Sequence, residues 1–337
     1  MNVFMIGGTG LIGSEAARLL IKNGHQVSSL ALPPLPNGEN LPKEMKLTLA
    51  NYMDLSDENI KNLMKDCDSF VFAAGVDERI EGTKPIYDFY AKYNIIPLER
   101  MMKIAKEVGI KHVVILGSYF SYFAREWKEL QLYENHPYIK SRVDQANMAL
   151  SYASKKMSVS ILELPYIFGT QPGRKPVWTF LIEQIMQMKK ATFYPNGGTT
   201  MVTVKQVAQC IYGALEKGDG GHNYPIGYYN MSWKEMLKIF HEYMGVPEKR
   251  IIIIPKFLYR LAMKRKVKEF KDKGIESGLD LMKLVEIMTR KAYIDQSFII
   301  DSFNVEPDDI KNAIGQSVTA SLDFLNGNSD FIDMKGE

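Results

Sequence analysis

Apolar and polar positions along the first half of the chain follow two periods in turn, one strand-like and one helix-like. Val3, Phe4, Met5 and Ile6 form a continuous apolar run, and after a glycine-rich turn a helical pattern continues through Leu19, Leu20 and Ile21. Residues 26–32 read as a buried strand, 46–50 as a third strand and 57–64 as a short helix. Residues 69–74 form a fourth strand closed by Gly75. A long helix over 84–108, with Pro85 near its first turn, leads to a fifth strand over 112–116. A helix over 138–155 and a strand over 159–164 complete the series. This alternation predicts parallel strands joined by right-handed crossover helices, an α/β chain with a doubly wound parallel sheet.

Beyond Gly169 the pattern loosens, although two helices stand out. Val204, Val207, Ala208, Ile211, Tyr212 and Leu215 make one apolar stripe. Trp233, Met236, Leu237, Phe240, Tyr243 and Met244 make another, opened by the capping box Ser232-x-x-Glu235 and stopped by Gly245 and Pro247. Both stripes read as core. A last helix is expected over 307–324. The expected division is a nucleotide-binding part, 1–168, and a smaller mixed substrate-binding region, 169–337, from which segments such as 200–230 return to the first sheet.

Composition narrows the class. Across 337 residues, 46% hydrophobic and 24% charged positions describe an ordinary globular enzyme. The net charge of +3 is too small to point to nucleic acid as a partner. Cys67 and Cys210 lie far apart, and the five histidines are scattered, so no disulfide framework or metal site is expected. No apolar run has membrane-spanning length, and a strand from residue 2 leaves no room for a signal peptide, so the expectation is a cytoplasmic protein.

The glycine turn carries the first chemistry. Gly7 permits a tight reversal, Gly10 lets the backbone approach a ligand, and Gly13 lets the helix pack on the strand. Free N–H groups at the helix start, over Thr9, Leu11 and Ile12, then face a negative charge, so a dinucleotide pyrophosphate is the expected ligand. The spacing is G-x-x-G-x-x-G. It resembles the extended short-chain dehydrogenase/reductase family, which includes nucleotide-sugar epimerases and dehydratases.

Further motifs extend the resemblance. Tyr138-Ile-Lys-Ser-Arg142 resembles the family's Tyr-x-x-x-Lys, with arginine in the lysine's place. The four-residue offset puts both groups on one helix face, so the cation lowers the phenol's pKa. Arg142 keeps the charge and a hydrogen bond to ribose but takes no part in a proton relay. Lys140 falls on another face. Residues 113–122 resemble the family strand that ends in a substrate-anchoring hydroxyl, at Ser118, with Tyr122 following; Ser121 is the rival hydroxyl. Tyr90-Ala-Lys-Tyr-Asn94 resembles Tyr-x-x-x-Asn and adds Asn94 as a supporting polar group, while Pro97 is expected to kink that helix. Ala73, Ala74 and Gly75 resemble the strand end beside the cofactor, and Pro165 and Ile167 the stretch near the nicotinamide. Asn51, with Tyr52 beside it, falls where the family has an adenine-contacting Asp.

The resemblance implies an oxidoreductase or epimerase with NAD(P), a small-molecule substrate and a homodimer. Ala31 and Leu32 occupy the slots that usually announce NAD or NADP, and the loop to Asn40 holds no Lys or Arg, which tips the expectation toward NAD. Tyr119-Phe120 replaces the Asp-Glu pair of the dehydratases, and Thr199-Thr200 the arginine that clasps a sugar-nucleotide diphosphate. Aromatic residues around Ser118 point to a less charged, ring-shaped substrate. The other reading is a non-catalytic NAD(P)-binding sensor, drawn from Arg142 and the unassigned Ala31. Residues 256–273 carry eight Lys/Arg against Glu269 and Asp272, interleaved with Phe257, Leu258, Tyr259, Leu261, Val267 and Phe270. They read as a solvated helix face, with an anionic membrane surface or acidic ligand as the alternative.

Overall fold

The computed structural model describes residues 1–35, 41–328 and 331–332. Part of the loop used above to weigh NAD against NADP, residues 36–40, lies outside the described residues. In the first half the strands are β1 Asn2–Ile6, β2 Gln26–Ala31, β3 Lys46–Leu49, β4 Ser69–Phe72, a short β5 Glu81–Thr83, β6 His112–Ser118 and β7 Ser158–Leu164. Between them lie α1 Leu11–Lys22, α2 Asp57–Met64, α3 Ile86–Tyr90, α4 Ile96–Val108, α5 Tyr119–Glu126, α6 Leu132–Asn135 and α7 Pro137–Leu150. The predicted strands are present, with ends moved by a residue or two.

Seven parallel strands form the central sheet in the order β11-β7-β6-β4-β1-β2-β3, where β11 is Gly221–Pro225. The order reverses at β1, and a doubly wound sheet opens its ligand crevice at that point. The run Val3–Ile6 is apolar throughout because both faces of β1 are covered. Val3 and Met5 pack with Ala16, Leu20, Val207 and Ile211. Phe4 and Ile6 pack on the other side with Phe70, Phe72, Leu98 and Met101.

Two helix readings change. The expected 84–108 helix is interrupted: a π-helical turn, Ala91–Ile95, separates α3 from α4. Pro97 stands in the first turn of α4 and has no N–H for the preceding turn, so the ladder shifts register just before the proline. The expected 138–155 helix stops at Leu150, and Ser154 and Met157 instead close a tight bridge ahead of β7.

The second half adds β8 Tyr166–Phe168, α8 Thr179–Gln187, β9 Ala191–Pro195, β10 Gly198–Thr203, α9 Val204–Lys217, β12 Tyr229–Ser232 and α10 Trp233–Tyr243. Then come β13 Arg250–Ile254, α11 Lys256–Asp272, β14 Ile275–Ser277, α12 Leu281–Met288, β15 Lys291–Ala292, α13 Ser297–Phe303 and α14 Ile310–Leu325. Helix α9 lies against α1 on the central sheet. Strands β8, β10, β12 and β15 form a separate small sheet. Its core, Phe168, Trp178, Met201, Trp233, Phe240 and Ile314, roofs the end of the central sheet where β6 and β7 finish.

Candidate active site and nucleotide cleft

Two cavities meet at the glycine turn. A cleft of about 700 Å³ runs from Ile6, Gly7, Thr9 and Gly10 past Ala31, Leu32, Asn51 and Tyr52. A chamber of about 350 Å³ lies on the other side, along Leu11, Ile12 and Gly13 to Ser118, Tyr138, Arg142, Pro165 and Ile167. Gly7, Gly10, Ala73, Ala74, Gly75 and Val76 border both.

The three glycines serve different ends. Gly7 has φ +89°, and a Cβ there would meet the Ala73 carbonyl oxygen at 2.5 Å. A Cβ on Gly13 would land on the Gly7 carbonyl and 2.8 Å from Gly8 Cα. A Cβ on Gly10 would meet the protein only at 3.4 Å, so the protein itself leaves room there. Helix α1 has no side-chain cap at Gly10 and no acid in its first turn, which leaves its amide end for an anion.

In the chamber, β6 ends at Ser118, whose Oγ accepts from the Phe120 N–H at 3.4 Å. Helix α7 then brings Tyr138 and Arg142 to the same wall, one turn apart. The guanidinium carbon lies 6.0 Å from the Tyr138 ring centroid, and Arg142 also donates to the Leu116 carbonyl. Burial pushes the Tyr138 phenol up to about 12. Arg142 beside it pulls the other way, Glu78 adds to the rise, and the Ser118 hydroxyl opposes it. Tyr119, Phe120, Tyr166, Trp178 and Phe180 make the rest of the wall aromatic.

The remaining predicted residues divide. Asn94 is fully buried in the π-helical turn, where it accepts from the Val76 N–H at 2.8 Å and donates to the Val76 carbonyl at 3.1 Å. Both amide atoms are thus used in holding the loop after Gly75. Asn51 borders the cleft and accepts from the Met53 N–H at 3.0 Å. Lys140 lies over the rings of Tyr87 and Tyr133, away from Tyr138. Neither Ser121 nor Tyr122 borders the chamber, which leaves Ser118 as the facing hydroxyl. Glu163, one residue before the Leu164-Pro165 pair, is buried and takes two bonds from Arg125 at 2.8 and 2.7 Å.

Several residues at the site escaped the sequence reading. Gln171 donates to the Thr9 carbonyl at 2.8 Å, and Arg174 donates to the same carbonyl at 3.1 Å and to Thr9 Oγ1 at 3.3 Å. Arg174 borders the cleft, burial lowers its pKa, and it makes no ion pair among the described residues. Ile332 pairs with this segment and closes the same edge of the cleft. In the chamber Arg79 is tied to Asp77, donates to the Val177 carbonyl at 3.0 Å and lies 5.3 Å over the Phe180 ring. Glu78 beside it is raised above the usual carboxylate range by desolvation and then by Asp77. The stretch 77–79 has no period or spacing that marks it.

The cavities fit a dinucleotide. The Arg142 Nε and the Gln171 Oε1 are buried without a partner, and both belong to residues bordering or bracing the nucleotide path. A switch-point cleft with a bare helix end, opening on a wall with Ser118 and Tyr138, resembles the arrangement of the extended short-chain NAD(P)-dependent enzymes, with Arg142 in the place of their lysine. A model of the NAD dependent epimerase/dehydratase family matches residues 3–227, and the chain belongs to that family. Over 235 residues it is 23% identical to the decarboxylating sterol-4-alpha-carboxylate 3-dehydrogenase of Dictyostelium discoideum, covering 65% of this chain and 68% of that one. The crystal structure of gox2253 superposes with a TM-score of 0.71 at 17% identity, covering 98% of this chain and 99% of the other. UDP-glucuronic acid 4-epimerase from Bacillus cereus, in complex with NAD, gives 0.66 at 13% identity, with 97% and 99% covered. At such identities the two structures speak for the shared fold.

Proposed function

We propose that the protein is an NAD(P)-dependent oxidoreductase that transfers hydride at a carbinol or carbonyl carbon, with Tyr138 as its acid/base. The observation that carries this reading is the meeting of Ser118, Tyr138 and Arg142 on one chamber wall, beside the glycine turn. The bound nicotinamide supplies the hydride acceptor or donor. Ser118 anchors the substrate oxygen, and Tyr138 gives it a proton in reduction or removes one in oxidation. Arg142 holds charge beside the phenol and offers its spare Nε to a ribose hydroxyl. Asn94 acts through the Val76 loop. Gly7, Thr9, Gly10, Leu11, Ile12 and Gly13 surround the pyrophosphate, and Asn51 and Tyr52 the adenosine end. Ala73, Ala74, Gly75, Pro165 and Ile167 flank the nicotinamide. Ala31 and Leu32 bring no charge to the ribose, which favours NAD.

For the substrate, the chamber favours a small, weakly charged ring. Its wall is aromatic, Arg79 is already paired with Asp77, and Thr199 and Thr200 are fully buried, so among the described residues the cation left without an acid on that wall is Arg142, bonded to the Leu116 carbonyl beside Tyr138. Epimerisation through a transient ketone uses the same groups. A sensor without turnover is the second reading, favoured by Arg142 in the lysine's place and by the raised Tyr138 pKa. Family resemblance adds a homodimer through α4 and α7, on a surface that includes exposed Ile96.

The test is Tyr138→Phe. Turnover is expected to fall about 10²–10⁴-fold, with the dissociation constant for NAD(H) within twofold of the parent by fluorescence titration. An active variant removes Tyr138 from the chemistry. Tight nucleotide binding by the parent with no turnover on alcohols, ketones or sugar nucleotides supports the sensor.

A further inference from the structure

Helix α11, the basic stretch of the sequence, packs by one face. Phe270 is buried, and Tyr259, Met263 and Val267 are half-buried at three- and four-residue spacing. The helix packs on α12, whose Leu284 and Ile287 belong to the cluster that holds Tyr119, Tyr138 and Tyr166 of the chamber wall. Along its flanks the cations are paired. Lys256 and Arg260 each reach Glu286 at 2.5 Å, Lys266 reaches Glu81 at 3.7 Å, and Lys273 reaches Glu269 at 2.5 Å.

The outward face is different. Phe257, Leu258 and Leu261 are 69%, 43% and 52% exposed. Lys264, Arg265, Lys268 and Lys271 follow in the same arc of about 140° on the helix wheel, and among the described residues none of the four makes an ion pair. Asp272 is the acid of that arc. Three large apolar side chains in water beside four unpaired like charges make a poor surface for an isolated protein. They match a boundary that is apolar within and anionic at its edge. The sequence pattern reads as a solvated face because periodicity alone does not show that Phe257 and Leu261 point away from the protein.

We propose that α11 seats the enzyme on an anionic phospholipid surface. Phe257, Leu258 and Leu261 enter the boundary between headgroups and acyl chains, and Lys264, Arg265, Lys268 and Lys271 meet the lipid phosphates and carboxylates. The helix lies on the bilayer: among the described residues no helix is long and apolar enough to cross one. Seating it there holds the aromatic chamber, through α12, near the lipid surface. That last consequence rests on the substrate reading above; the surface itself does not.

The experiment is co-sedimentation of the full chain with phosphatidylcholine vesicles, with and without phosphatidylserine. Two variants are compared with the parent: Phe257→Ser with Leu261→Ser, and Lys264→Glu with Lys268→Glu. None of these residues borders the nucleotide cleft or the chamber, and matched circular dichroism and thermal midpoints show that each variant folds. The parent is expected to pellet at least tenfold more with the serine lipid than without it. Each variant is expected to lose at least tenfold of that binding, and high salt to release the parent. Failure of the parent to pellet with anionic vesicles overturns the proposal, as does equal pelleting of parent and variants. It is also overturned if light scattering shows the parent to be an oligomer that the serine variant dissociates while vesicles bind neither, since a second copy then covers the face. Nucleotide titration of the same samples reports on the active-site reading separately.

Discussion

Along the nucleotide cleft the working atoms belong mostly to the backbone, whereas in the neighbouring chamber they belong to side chains gathered from distant segments. The cleft takes its shape from Gly7, Gly10 and Gly13 within seven consecutive residues, and from the uncapped end of α1. The chamber needs residues 77–79, Asn94, Ser118, Tyr138 with Arg142, Tyr166 and Trp178, each from a different part of the chain. A backbone site is rigid and tolerates little change at the glycines that shape it. A side-chain site is open to change at each wall, and this is where the chain departs from its family: arginine for lysine, and Tyr119-Phe120 for an acidic pair. The nucleotide half therefore speaks for the family, and the chamber for this protein's own substrate.

The strongest way to break that contrast is at the glycines. Gly13→Ala places a methyl group on the Gly7 carbonyl and 2.8 Å from Gly8 Cα, with only backbone to move. It is expected to destabilise the protein by about 3 kcal/mol, read by urea or thermal unfolding. Gly10→Ala meets protein only at 3.4 Å, so stability should change by no more than about 1 kcal/mol. Nucleotide affinity should nevertheless fall at least tenfold. If Gly10→Ala binds nucleotide like the parent, the phosphates do not approach the turn there.

The same contrast explains what could be read from the sequence. β1 is legible because a strand covered on both faces is apolar at every position, as Val3, Phe4, Met5 and Ile6 are. Tyr138 and Arg142 are legible because a four-residue offset on a helix is itself a geometry. Arg174 is not: its partner is Thr9, 165 residues away, and its own loop has no period. Residues 77–79 are hidden for the same reason. Pro97 announces a break in the long helix but not its form, since the register shift falls over Ala91–Ile95, ahead of the proline. Nor does the α11 pattern show which apolar residues face inward, because both faces carry them.

Arg142 tests whether the altered chamber keeps its chemistry. Burial already raises the Tyr138 phenol to about 12, and Arg142 opposes the rise more than the Ser118 hydroxyl does. Removing that charge in Arg142→Met destabilises the phenolate, so the phenol stays protonated to still higher pH. Oxidation at neutral pH, which needs a proton acceptor, should fall about 10²-fold and recover in part as pH increases. Reduction, which uses the protonated phenol, should fall less. Arg142→Lys should restore most of the oxidation rate. Profiles of rate against pH in both directions check this, and parallel losses at every pH would show that Arg142 acts on ribose binding alone.

The smallest expected effect sharpens the comparison from the cleft side, because Arg174 is a side-chain cation fixed on the turn itself, whereas Lys92, which also borders the cleft, lies over the Tyr93 ring. Its guanidinium is fixed on Thr9 by bonds of 3.1 and 3.3 Å, is partly desolvated, and has no counter-charge among the described residues. A cation held in that state beside the uncapped end of α1 suits a phosphate as its counter-charge. Arg174→Met is expected to raise the dissociation constant of NAD(H) about tenfold, the equivalent of one charge-assisted hydrogen bond, and to lessen its dependence on salt. Titration with NADP(H) divides the possibilities. An equal loss places the guanidinium on the pyrophosphate, and a much larger loss for NADP(H) places it on the 2′-phosphate, supplying from the segment between β8 and α8 the charge missing after β2. No change with either nucleotide would leave Arg174 as a brace for Thr9, and the cleft would then be a backbone site throughout.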